Sequence, residues 1–242
     1  MTAIPTRKDE AWRYSDLEAV ARLWPLAAPE QIHVGVGEDV VRSISELPAS
    51  GIARMSVEVE PNGHFYLHAL VAHRAYGRLD IDVRLQDGAT FTFGGVIIGS
   101  DAQTLEIVTK VRHCGEWGVS RQTVRSVLGG TATGSYLGKV AVSRDAQKTD
   151  SVQSVKAMLL DRTATANAKP ELEIYADDVK CAHGATVGEL DKNALFYLAA
   201  RGLPPAEAQT LLLQAFVAEV FEGAEAQAEL ETAALAALER MS

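Results

Sequence analysis

LDIDVRLQDGATFTFGGVIIGSDAQTLEIVTKV, residues 79–111, carries the signal that decides the fold class. Leu79, Ile81, Val83 and Leu85 alternate with Asp80, Asp82 and Arg84. A period of two puts one set of side chains on a buried face and the other in water. Asp87-Gly88 reads as a turn, TFTF (Thr90–Phe93) resumes the alternation, Gly94-Gly95 reads as another turn, and LEIVTKV (Leu105–Val111) follows. The same texture extends in both directions, through MSVEVE (Met55–Glu60), QTVRSVL (Gln122–Leu128), VKAMLL (Val155–Leu160) and LEIYADDVKC (Leu172–Cys181). Pro61-Asn62-Gly63, Gly129-Gly130 and Lys169-Pro170 are further turn signals. Residues 51–185 are therefore expected to be a β domain. Short strands at this density fit a sandwich, a barrel or a solenoid, and units recurring at roughly 20–25 residues suit solenoid rungs. Periodicity alone leaves sandwich and solenoid open.

The flanks differ. Residues 1–50 form a mixed region. A short amphipathic helix is expected over Arg7–Glu18, with Trp12, Leu17 and Val20 as its apolar residues, and a strand over IHVGV (Ile32–Val36). Residues 186–242 read as helical. Thr186–Glu189 fits a capping box and Asp191 is an equally good cap. Leu190, Ala194, Leu195 and Leu198 share a face, and Gly202 suits the position after a helix end. Pro204 and Pro205 start a second helix with an expected apolar stripe of Ala208, Leu211, Leu212, Ala215, Phe216 and Val220. After Gly223, a third helix carries Leu230, Ala234 and Leu238.

Composition narrows the function classes. With 32 acidic and 23 basic residues the formal charge is -9, which argues against a nucleic-acid partner and against an anionic membrane surface. Only two cysteines occur, Cys114 and Cys181, with no CxxC pair, so a reducing, cytoplasmic setting is expected. No leader and no membrane-spanning run is read. Gly138-Lys139 lacks the hydroxyl residue and first glycine of a phosphate-binding loop, and neither GxSxG nor HExxH occurs, so no catalytic activity is expected. His64, His68 and His73, and the pair His113-Cys114, are read as structural or solvated residues.

PELEIYADDVKCAHGATVGELDKNALFYLAARG (Pro170–Gly202) resembles the hallmark segment of the SufB/SufD core family, on its SufD side. PTRKDEAWRYSDL (Pro5–Leu17) is similar to that family's N-terminal signature, and the two blocks occur in the family's order. The resemblance implies a right-handed parallel β-helix flanked by a short N-terminal helical region and a C-terminal helical domain. Most relatives are considerably longer, so fewer rungs are expected.

Cys181 and His183 form a C-x-H pair whose side chains share a face if the segment is extended. Thiolate and imidazole both ligate iron, and two ligands cannot hold a cluster alone. The resemblance implies that His183, with Cys181, supplies half of a site for a nascent iron–sulfur cluster, transiently shared with a SufB-like partner. It also implies that the C-terminal helices dock a SufC-like ATPase, with Arg201, Gly202, Leu203, Pro204 and Pro205 as the matching turn. A homodimer is an alternative assembly when the partner is missing. Two other functions compete: a stand-alone β-solenoid enzyme, lyase or acyltransferase, and a SufB-like primary scaffold that holds a cluster by itself.

Overall fold

The computed structural model describes residues 3–241. The period-two segments become twelve strands among the described residues: β1 (Glu30–Val34), β2 (Asp39–Ile44), β3 (Ile52–Val59), β4 (His64–Val71), β5 (Tyr76–Leu85), β6 (Thr90–Gly99), β7 (Thr104–His113), β8 (Val119–Leu128), β9 (Thr133–Val142), β10 (Asp150–Leu159), β11 (Thr165–Ile174) and β12 (Lys180–Gly188). Odd strands form one sheet, β1-β3-β5-β7-β9-β11, and even strands the other, β12-β10-β8-β6-β4-β2. Among the described residues these strand pairings are parallel. The chain is a parallel β-solenoid with helical regions at both ends. Each rung contributes one strand to each sheet.

The offset between paired residues grows along the solenoid, from Glu30 opposite Met55 to Thr133 opposite Thr165. These rungs are longer than the expected 20–25 residues, because each holds two strands and two corners. One corner column turns on left-handed residues: Gly37, Asn62, Gly88, Trp117 and Lys148, with φ between 57° and 65°. Their N–H groups bond to the next corner up: Gly37 to Pro61 O, Asn62 to Asp87 O, Gly88 to Glu116 O, Trp117 to Gln147 O and Lys148 to Asp178 O. Glycine and asparagine take this conformation cheaply. Trp117 and Lys148 are held in it by the stack.

Two expected turns are strand interiors. Gly94-Gly95 lies inside β6. A Cβ on Gly94 would come within 2.6 Å of Val220 O, so glycine here serves close helix-on-sheet packing rather than a bend. Lys169-Pro170 lies inside β11. Thr165 N–H bonds Ala132 O and Tyr175 N–H bonds Val142 O, so odd-numbered N–H groups point to β9. Position 170 faces the open edge, where proline removes no ladder bond. LEIYADDVKC is likewise not one strand: residues 175–179 form the corner between β11 and β12.

Inward side chains stack into an apolar column that includes Phe65 over Phe91, with ring centroids 5.9 Å apart. The outer face of the even sheet presents Leu70, Val96, Ile98 and Val127 to the C-terminal helices. These are α2 (Lys192–Ala200), α3 (Pro205–Phe221) and α4 (Gln227–Glu239), preceded at the N-terminus by α1 (Leu17–Leu23). In α3 the buried face is Ala208, Leu213, Val217, Val220 and Phe221. The expected stripe is thus rotated: Leu211 stays 47 % exposed, because the sheet lies on one side only. Leu230, Ala234 and Leu238 of α4 are buried as expected.

The N-terminal helix also starts later than the charge pattern suggests. Asp16 accepts from Glu18 N and Ala19 N and caps α1, while Glu10–Trp12 is a 3-10 turn. Trp12 lies 3.8 Å over the Arg78 guanidinium, and Ser15 donates to Glu106. Arg78 and Glu106 are both 1 % exposed and pair at 2.7 Å. This buried pair straps the N-terminal segment to the outer face of the odd sheet. No described helix is long and apolar enough to cross a membrane.

Candidate functional site

β12 is the last strand of its sheet, and its register decides where the C-x-H pair looks. Ser120, Ser151 and Cys181 align across β8, β10 and β12, and so do Gln122, Gln153 and His183. Ser151 and Gln153 are inward and buried. Cys181 and His183 therefore face the solenoid interior at its open C-terminal end. Lys180 N–H bonds Thr149 O, so the N–H groups of Cys181, His183, Ala185 and Val187 lie on the unpaired edge. Cys181 is half-buried against the core and His183 is exposed. Burial pushes the Cys181 thiol up, a bond to the Ser151 backbone lowers it and the Asp150 charge raises it. A metal ligated by this thiol would have to displace its proton.

The interior changes character as it approaches this end. Phe91 and Phe93 of β6 align with Ser120 and Gln122 of β8. Above them, His113 Nε2 and Ser120 Oγ are 2.9 Å apart, and Ser120 and Ser151 hydroxyls 2.8 Å apart. Thr109 and Tyr136, facing inward from the other sheet, bond Gln122 Oε1 at 2.7 and 3.1 Å. Two polar columns thus lead to Cys181 and His183. Among the described residues no three His, Cys, Asp or Glu side chains converge to hold a metal.

The other singled-out residues lie elsewhere. His64 and His68 share the outer face of β4; His64 meets Tyr66 Oη at 3.2 Å and His68 is buried, its pKa lowered by burial. Arg240 bonds His73 in a corner. Cys114 is half-buried in a corner, its thiol near Arg112 O, while His113 points inward. Thr186–Gly188 belong to β12, so Asp191 rather than a capping box starts α2, accepting from Asn193 N. α2 ends in a paired reverse turn: Gly202 N bonds Ala199 O and Leu203 N bonds Leu198 O, with Gly202 at φ +90°. Arg201, Gly202, Pro204 and Pro205 are exposed, Leu203 is half-buried, and Arg201 lies 5.2 Å from the Tyr197 ring. Phe196 and Tyr197 are 76 % and 58 % exposed.

The family described as SUF system FeS cluster assembly, SufBD core domain, matches residues 46–216, a span that runs from the first corners through the open end into α3. The chain belongs to the SufBD core family. Among its relatives, the iron-sulfur cluster assembly protein SufD of Escherichia coli (strain K12) is 41 % identical over 103 residues, covering 43 % of this chain and 24 % of the relative. The chloroplastic protein ABCI7 of Arabidopsis thaliana is 39 % identical over 121 residues, 50 % of this chain and 26 % of that one. SufD of Bacillus subtilis (strain 168) is 31 % identical over 125 residues, 52 % and 29 %. The matched stretch spans about a quarter of these relatives' own length.

Within this SufBD core domain, sequence reading passed over the buried polar residues Thr109, Gln122, Tyr136 and Gln153. Their signal was present, since Gln122, Gln153 and His183 recur at one-rung steps. It is readable only once the rung length is known.

Proposed function

We propose that this chain is a SufD-like scaffold subunit of an iron–sulfur cluster assembly complex, without catalytic activity of its own. Cys181 and His183 supply half of a cluster site, which a SufB-like partner completes. The observation that carries this reading is their position: side by side on the inward face of the last rung, beside an unpaired strand edge. A partner that adds strands to β11 and β12 would bring its own ligands to the same opening. The thiol–imidazole donor set suits iron, and a pair of ligands suits a nascent, shared cluster rather than a resident one.

The C-terminal helices, from α2 onward, are proposed to dock a SufC-like ATPase through the Arg201–Pro205 turn. The exposure of that turn and of Phe196 and Tyr197 supports this, since aromatic and arginine side chains anchor interfaces. The test is co-purification with a SufB-like protein and an ATPase, followed by cluster formation in the complex. His183→Ala is expected to leave folding and assembly intact and to lower cluster output at least ~10-fold. Wild-type output from that variant would remove His183 from the site. A stoichiometric stable cluster on the lone chain after anaerobic reconstitution would instead make it a primary scaffold.

A further inference from the structure

The buried polar column beneath His183 is incompletely satisfied, and the pattern has a direction. Gln153 is 1 % exposed, and its Oε1 has no hydrogen-bond partner among the described residues. Its Nε2 is committed, donating to Tyr136 Oη at 3.0 Å. Tyr136 Oη donates to Gln122 Oε1 at 3.1 Å, and that oxygen also accepts from Thr109 Oγ1 at 2.7 Å. Gln153 and Tyr136 thus donate down the column, away from the open end, and the spare acceptor is left on its uppermost buried residue. Gly138 makes the arrangement possible: a Cβ there would lie 2.2 Å from Tyr136 Oη and 2.5 Å from Gln153 Nε2. The residue in register with Gln153 on the next strand, ~4.8 Å away, is His183.

A histidine that binds metal through one ring nitrogen needs an acceptor for the N–H of the other, which sets its tautomer and orientation. We infer that Gln153 is a positioning residue for His183: its amide oxygen accepts the second imidazole N–H when the ring turns onto the column to ligate iron. Tyr136 and Thr109 hold the amide in the required orientation. The inference rests on the reading of His183 as a ligand.

Cobalt(II) titrated anaerobically onto the purified full chain tests it, through the thiolate-to-cobalt absorbance of an ion bound at Cys181 and His183. Gln153→Leu is expected to weaken cobalt binding about tenfold, and Gln153→Glu, which keeps an acceptor, to stay within about twofold of wild type. Tyr136→Phe, which releases the amide but leaves Gln153 in place, is expected to fall between them and serves if the leucine variant does not fold. Unchanged affinity in Gln153→Leu or Tyr136→Phe overturns the inference, as does the absence of a cobalt band in the wild-type chain. Cluster output of the complex with His183→Ala is a separate readout, so either reading can fail alone.

Discussion

At the scale of single residues, the buried polar groups have consequences for stability as well as for the site. His113 is fully buried, and burial pushes its pKa down to about 4. Unfolding restores the ordinary value near 6.5, so the unfolded chain takes up a proton that the folded chain refuses. Stability from this residue is complete above about pH 6.5 and is lost as pH falls toward 4. The effect is at most roughly 3 kcal/mol. His113→Asn, which can keep a bond to Ser120, is expected to flatten the acid side of a stability–pH curve measured by urea unfolding between pH 7 and 4. An unchanged slope would mean that other groups carry the acid sensitivity. His68, lowered by burial in the same direction, adds to the slope. The N-terminal segment is likewise held by contacts at this scale. Trp12 covers Arg78, Ser15 bonds Glu106, and Asp16 caps α1. A buried ion pair is costly unless fully bonded, so these residues complete a pair that could not stand alone.

At the scale of elements, the last strands are managed edges. β11 carries Pro170 on its open side, where it blocks one link of further strand pairing. β12 carries no proline and presents Cys181 and His183. The two edges are thus unequal: Pro170 removes one outward donor from β11, and β12 keeps all of its own. Pro170→Val restores a donor to the β11 edge and puts a valine in proline's place on the inward face, between Ala168 and Leu172. Light scattering of the lone variant is expected to show stronger concentration-dependent self-association than the parent shows. A monodisperse variant would show that the edge is protected by other means.

At the scale of the whole molecule, protection should be graded along the solenoid. Strands β5 to β9 have neighbours on both sides and largely buried inward faces, whereas β12 is almost wholly exposed. Local opening follows packing and unpaired hydrogen bonds. Hydrogen exchange is therefore expected to be slowest in β5–β9 and fast in β12 of the isolated chain. Adding the SufB-like partner should slow exchange in β11 and β12. Protection appearing at β1 and β2 instead would place the partner at the other end.

Much of this was legible before any coordinates. Strict alternation in residues such as Leu79–Leu85 requires strands with one buried face, and the Pro170–Gly202 block, which lies within the matched residues 46–216, points to the family. Both depend only on local periodicity or on residue identity. Gly94-Gly95 and Lys169-Pro170 misled because glycine and proline mark turns by their own conformational limits. Here they answer to neighbours far away in sequence, a helix backbone in one case and an empty sheet edge in the other. The rotated face of α3 has the same origin, since its amphipathicity is too weak to choose a side without the sheet beneath it. The polar columns were invisible for a geometric reason. Gln122, Gln153 and His183 become one feature only when parallel register brings residues a whole rung apart to a single strand spacing. Residue types alone could name a thiol and an imidazole as iron ligands. Only the stacking of rungs places Cys181 and His183 on the last strand of their sheet, in register with Ser151 and Gln153.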